Sequence, residues 1–237
     1  MDRIEFAKSD ELLREGIDIR VPIWRMASCA PIAMNAGQDR LYFCGIVLSC
    51  SREKGMSVMA CDATSLQIHE GFASGSVAER EKTGEGAQWD APMEKGIFIG
   101  KWSSVFREAR MKKHIKHWFR IFNGRAFVTE FHDGGTEYSS TPVSQLNENA
   151  EHVSIYADVK PIIEDLRNAS GNISEGSVEI GINPKTFTLS AGIPNPYDKS
   201  EFDGKTIVMR IDTLIGPVAI TRPGDPHFLA AMMPVKL

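Results

Sequence analysis

No apolar run in the sequence approaches the ~20 residues that a membrane-spanning helix requires. Its opening, Met1-Asp2-Arg3-Ile4-Glu5, has no apolar stretch behind it of the kind a secretory signal carries. Both absences predict a soluble, cytoplasmic protein with no membrane partner. Cysteine is sparse: Cys29, Cys44, Cys50 and Cys61 all fall within the first 61 residues. No two of them have the close spacing that a zinc site usually shows, so no metal is expected. Three of the four sit in apolar or alternating stretches, where a free thiol behaves as a small hydrophobe. The phosphate-binding loop, the dinucleotide fingerprint and the Gly-x-Ser-x-Gly elbow are missing as well. No cofactor and no catalytic residue is predicted. An overall positive charge is also lacking, since the net charge is −4.

The charge that is present is unevenly placed. Lys101, Arg107, Arg110, Lys112, Lys113, Lys116 and Arg120 lie in one window with a single acid, Glu108. A cationic island on an otherwise acidic chain is a local electrostatic footprint. The hydrophobic pattern predicts an α+β fold. Ile17, Ile19 and Val21 alternate as in a half-buried strand, and Trp24 to Asn35 reads as helical although Pro31 would lie inside it. Strands are expected over 40–49 and 56–68, the latter with a bend near Asp62, and 71–96 reads as a loop. Trp102 to His117 reads as one helix with Trp102, Val105, Phe106 and Ala109 on its apolar face. Strands follow at 118–122, 125–132 and 136–141, with Asn123-Gly124 and Asp133-Gly134-Gly135 as hairpin turns. After a polar connection, a helix is expected from the cap Asp158 to about Ala169. Everything beyond it reads as strand: 177–182, 186–191, 206–211, 218–221 and 228–235. A unit of strand, helix and antiparallel strands thus recurs, starting near residues 17, 96 and 153.

The closing segment carries a resemblance. Gly216-Pro217-Val218-Ala219-Ile220-Thr221, Asp225-Pro226-His227-Phe228-Leu229 and Met233-Pro234-Val235-Lys236-Leu237 resemble the C-terminus of the bacterial DNA sliding clamp, the beta subunit of DNA polymerase III. Upstream, Gln38-Asp39-Arg40, Phe43-Cys44-Gly45-Ile46-Val47-Leu48 and Val58-Met59-Ala60-Cys61-Asp62-Ala63-Thr64-Ser65-Leu66 are similar to the family's middle domain. The resemblance implies a DNA-clamp fold, with helices on one face of the sheets. It divides the chain into an N-terminal extension (1–16), a middle-type domain (17–142) and a shortened C-terminal-type domain (150–237). A chain too short for three such domains implies a reduced clamp, of the kind a phage or mobile element would carry.

In that family an apolar pocket receives short linear peptides from polymerases and the clamp loader. By resemblance the pocket here would comprise Phe43, Cys61, Ala63, Ser65, Leu66, Ala231, Met233, Pro234, Val235 and Leu237. Phe228 to Met232 would complete a sheet, and Met233 to Leu237 would face the pocket. Thr64 and Ser65 stand where the family has His and Arg, which implies altered peptide specificity. A clamp also lines its hole with cations that touch duplex DNA without reading its sequence. Arg107, Arg110, Lys113, His114, Lys116 and His117 would form that stripe, and a ring would be homo-oligomeric, a trimer if each chain supplies two domains. Two other readings compete: a clamp-derived module that captures peptides and modulates host replication without encircling DNA, and a metal-dependent enzyme built on His114 and His117.

Overall fold

The computed structural model describes residues 5–37, 44–51, 55–72, 88–91, 95–109, 117–130, 139–147, 182–192, 206–211, 217–223 and 225–234. A single helical turn, α1 (Ser9–Leu12), precedes two copies of the expected unit. The first runs β1 (Asp18–Pro22), α2 (Ile23–Asn35), β2 (Gly45–Ser51), β3 (Gly55–Cys61) and β4 (Ser65–Phe72). After β5 (Gln88–Asp90), the second runs β6 (Ile97–Gly100), α3 (Ser104–Ala109), β7 (His117–Phe122), β8 (Arg125–Glu130) and β9 (Ser139–Pro142). The last described elements are α4 (Pro184–Ala191), β10 (Val208–Ile211), β11 (Val218–Arg222) and β12 (Asp225–Met232). The architecture is α+β, with helices packed on antiparallel sheets.

The two units exchange their first strands. β1 leaves its own unit and lies between β5 and β7 in a five-stranded sheet, β5-β1-β7-β8-β9. β6 joins β2 at the edge of a seven-stranded sheet, β10-β11-β12-β4-β3-β2-β6. The main core includes Ile19, Val21, Phe119 and Val128 from the first sheet and Ile46, Leu48, Val58 and Ala60 from the second. α2 contributes Ile23, Met26, Cys29, Ala30, Ile32 and Ala33 to the same cluster. The helix continues through Pro31 because its burial outweighs the local penalty. Each large apolar side chain taken from water contributes ~1.5–3 kcal/mol, against ~3 kcal/mol for one internal proline.

Several expectations need correction. The helix expected over 102–117 is described only from Ser104 to Ala109, with Val105 and Phe106 buried as anticipated. Trp102 precedes it and is 53% exposed, and His117 is not helical at all. It opens β7, paired with Glu130 across the β7–β8 ladder. Three residues of the expected loop form β5, held against β1 through Asp18↔Asp90 and Arg20↔Gln88. Residues 186–191, read as a strand, belong to α4. Asn183 caps that helix by accepting from Lys185 N–H and Thr186 N–H, and Pro184 occupies its first turn. The helix expected over 158–169 and, but for Ile182, the strand over 177–182 lie outside the described residues. The Asn123-Gly124 hairpin forms as expected, with φ of 49° and 72°.

The N-terminal segment is stitched to the edge of the larger sheet. Gly96 N–H donates to Glu5 C=O at 2.7 Å, and Ala7 N–H donates to Gly96 C=O at 2.9 Å. Asn147 continues the seal: its N–H donates to Phe98 C=O, and its Oδ1 accepts from Phe98 N–H at 2.6 Å.

Candidate functional site

β12 pairs antiparallel with β4, so residues 228–232 lie against residues 65–69. The register aligns Met232 with Ser65 and Ala231 with Leu66, and β3 adds Cys61 opposite Leu66. Successive side chains of a strand point to opposite faces. Cys61, Leu66 and Ala231 therefore share one face and form a row, and all three belong to one buried cluster. Ser65 falls on the opposite face, with Met232 and Gln67. The strand ends at Met232, and Met233 turns off the sheet with its side chain 46% exposed. Its N–H donates to Thr64 C=O at 2.9 Å. Ala63 and Thr64 are exposed above the row, and Pro234 is half-buried beyond Met233.

The structure thus brings together Cys61, Ala63, Leu66, Ala231, Met233 and Pro234, turns the Ser65 side chain away, and leaves Phe43, Val235 and Leu237 outside the described residues. The arrangement is a buried apolar row beside an exposed rim that includes a thioether. No formal charge stands on those six side chains. Burial pushes the Cys61 thiol up to about 11, so it too is neutral near pH 7.

Sequence reasoning placed a bend near Asp62 but not the hydrogen bonds that shape the rim. Asp62 Oδ1 accepts from Thr64 N–H at 3.0 Å, from Thr64 Oγ1 at 2.9 Å and from Ser65 N–H at 2.7 Å. Its Oδ2 accepts from Asn35 Nδ2, at the end of α2, at 2.6 Å. An Asp whose carboxylate serves the backbone two and three residues on is the signature of an Asx turn. Asp62-Ala63-Thr64-Ser65 carried that signal.

A polar cluster lies beneath the β4–β12 seam, on the face opposite the row. His69 is fully buried; its Nδ1 accepts from Arg25 Nη1 at 3.2 Å, and its Nε2 lies 2.9 Å from the Gln67 amide. Asp225, from the far end of the chain, sits 3.8 Å from Arg25 and 3.9 Å from His69. Trp24 and Phe228 meet the imidazole edge to face at 5.5 and 5.4 Å. Arg222 donates to Ala191 C=O and to Gly192 C=O, satisfying the end of α4. Burial, reinforced by Arg25 and Arg222, holds the His69 pKa well below its usual value. Burial raises the Asp225 pKa, and Arg25 opposes that rise.

The expected cationic stripe is represented by two described residues. Arg107 is exposed on α3, whereas His117 is buried at the start of β7, its Nε2 4.0 Å from Glu130 Oε1. Arg110, Lys113, His114 and Lys116 lie outside the described residues. α2 offers no substitute, because its single cation, Arg25, is buried in the polar cluster. Among the described residues no group of three His, Cys, Asp or Glu is disposed to hold a metal, and no helix is long and apolar enough to cross a membrane.

This arrangement defines a class of fold. It is similar to the Helicobacter pylori beta clamp solved bound to a DNA ligase peptide, with a TM-score of 0.55 at 13% identity. It is also similar to the DNA polymerase III beta sliding clamps of Pseudomonas aeruginosa (TM-score 0.53, 10% identity) and Bartonella birtlesii (0.52, 13%), each solved bound to griselimycin. In all three, the match covers 94% of this chain and 67% of the other. No family model matches the sequence, and no curated protein matches it. The chain has the fold of the DNA polymerase III beta sliding clamp and spans about two thirds of that protein's length.

Proposed function

We propose that this protein is a clamp-fold binding module that captures short linear peptides of replication proteins and so modulates replication in its host, without encircling DNA. The row of Cys61, Leu66 and Ala231 would form the floor, and Ala63, Thr64, Met233 and Pro234 the rim. Phe43, Val235 and Leu237 would complete the walls. The observation that carries this reading is the hydrogen bond from Met233 N–H to Thr64 C=O, which closes the chain end over the β3–β4 turn. An uncharged floor favours peptides anchored by aliphatic or aromatic side chains, and the flexible Met233 suits more than one of them.

A fluorescein-labelled DNA ligase peptide of the kind seated on the Helicobacter pylori clamp is a direct probe. Anisotropy should report saturable binding, and Met233→Asp should weaken it by about tenfold or more, because a carboxylate would be desolvated against the peptide. Binding unaffected by Met233→Asp would sink the assignment.

The competing reading is a ring-forming processivity clamp whose hole is lined by Arg107, Arg110, Lys113, His114 and Lys116. The cationic window between Lys101 and Arg120 favours it. The burial of His117, and an α2 that shows solvent no cation, weigh toward the module.

A further inference from the structure

We infer that Asn35 and Asp62 together are the positioning device of this site: they fix the shape of the β3–β4 turn so that Thr64 C=O meets Met233 N–H. The inference rests on the peptide-binding reading for its function, but its geometry stands independently. Asp62 is almost completely buried, and the donors around its carboxylate (Thr64 N–H, Thr64 Oγ1, Ser65 N–H and Asn35 Nδ2) are all neutral. The carboxylate is therefore held by directed hydrogen bonds, which constrain orientation more than a diffuse ion pair does.

The turn needs such a constraint. Ala63 sits at φ 73°, in the left-handed region that a residue with a Cβ seldom adopts. Asp62 N–H donates to Ser65 C=O at 3.1 Å, closing the turn from the other side. Three of the carboxylate's hydrogen bonds stay within the turn, and the fourth leaves it. Asn35 is the last residue of α2, and Ile32 and Ala33 one turn earlier are fully buried in the main core. The rim is thus referenced to the core helix as well as to its own two strands. The side-chain hydrogen bonds of Asn35 and Asp62 go to each other and to the turn, not to Leu66 or Ala231. The two residues act through Thr64 and Met233, and so are positioning residues.

The test exploits the donor–acceptor direction of the pair. Asn35→Asp sets a carboxylate against a carboxylate. The double variant Asn35→Asp/Asp62→Asn restores one donor and one acceptor in reversed order. Amide hydrogen exchange is followed at Met233 and at Ala230, which lies within β12, and affinity is measured with the labelled DNA ligase peptide. In Asn35→Asp, Met233 exchange should accelerate about tenfold while Ala230 is unchanged, and the peptide Kd should rise about tenfold. The double variant should return both to within about threefold of the native protein. Unchanged Met233 exchange in Asn35→Asp, equal acceleration at Ala230, or a double variant no better than the single would each overturn the positioning role. If the native protein ignores the peptide, the peptide-binding reading falls, and the exchange pattern alone then decides whether the pair positions the rim.

Discussion

His69 illustrates what a single buried residue does in this molecule. It sits between Arg25 and Arg222 with no exposed surface, and burial first, then the two arginines, keeps it neutral. In the unfolded chain it takes up a proton as pH falls through 6.5, whereas the folded protein resists until far lower pH. Its contribution is therefore intact above pH 6.5 and is lost progressively below it. Asp225 runs the other way: its raised pKa makes its contribution greatest at acid pH, lost as pH rises through the folded value. Its window opens from 3.8 upward, and its slope is opposite in sign to that of His69. Urea denaturation should show stability falling from pH 6.5 toward 5 with a His69 component approaching ~1.4 kcal/mol per pH unit. His69→Gln should flatten that slope even though it is less stable at pH 7; parallel slopes would rule His69 out as the cause. None of this was readable from sequence, where Arg25 and Asp225 look like surface charges and stand far apart in the chain.

At the scale of elements, α4 shows a local signal overridden and then recovered. Thr186, Phe187, Thr188 and Leu189 read as an alternating strand because β-branched residues favour pleated surfaces. The start signal that wins is Asn183-Pro184, a side-chain cap followed by a residue whose missing N–H costs nothing there. Packing fixes the other end: Gly192 has φ +62°, and a Cβ on it would collide with Ser28 and Gln67. Asn183→Ala should lower stability by about 1 kcal/mol in chemical denaturation, and Asn183→Asp should be nearly neutral, since Asp caps equally well. A change in Asn183→Ala too small to measure would mean that tertiary packing alone holds α4. The basic segment makes the converse point. A long stretch free of Gly and Pro suggested one helix, yet His117 pairs with Glu130 in a strand ladder, so composition alone did not reveal where helix gives way to sheet.

The whole molecule is organised around one pairing, β4 with β12, which joins Ser65–His69 to Phe228–Met232 within a seven-stranded sheet. That pairing builds the candidate site on one face and buries the polar cluster on the other. The assembled protein offers the sharpest separation between a peptide-capturing module and a ring. Static light scattering at micromolar concentration should give the mass of a single chain, and the protein should not be retained on circular plasmid. A trimer that stays on circular DNA and slides off once the plasmid is linearised would replace the module reading with a ring-forming clamp.

The sequence alone determined the strand–helix–strand units that start near residues 17 and 96, the Asn123-Gly124 hairpin and the apolar strand at 228–232, because periodicity, turn chemistry and local composition are properties of neighbouring residues. Resemblance in the closing and upstream segments added the clamp fold and the two strands whose walls could meet. Tertiary structure decided the rest. The exchange of β1 and β6 between sheets, the side of the sheet to which Ser65 turns, and the link from Asn35 to Asp62 depend on register between distant strands. Register is set by which faces bury together, and that is a property of the folded whole.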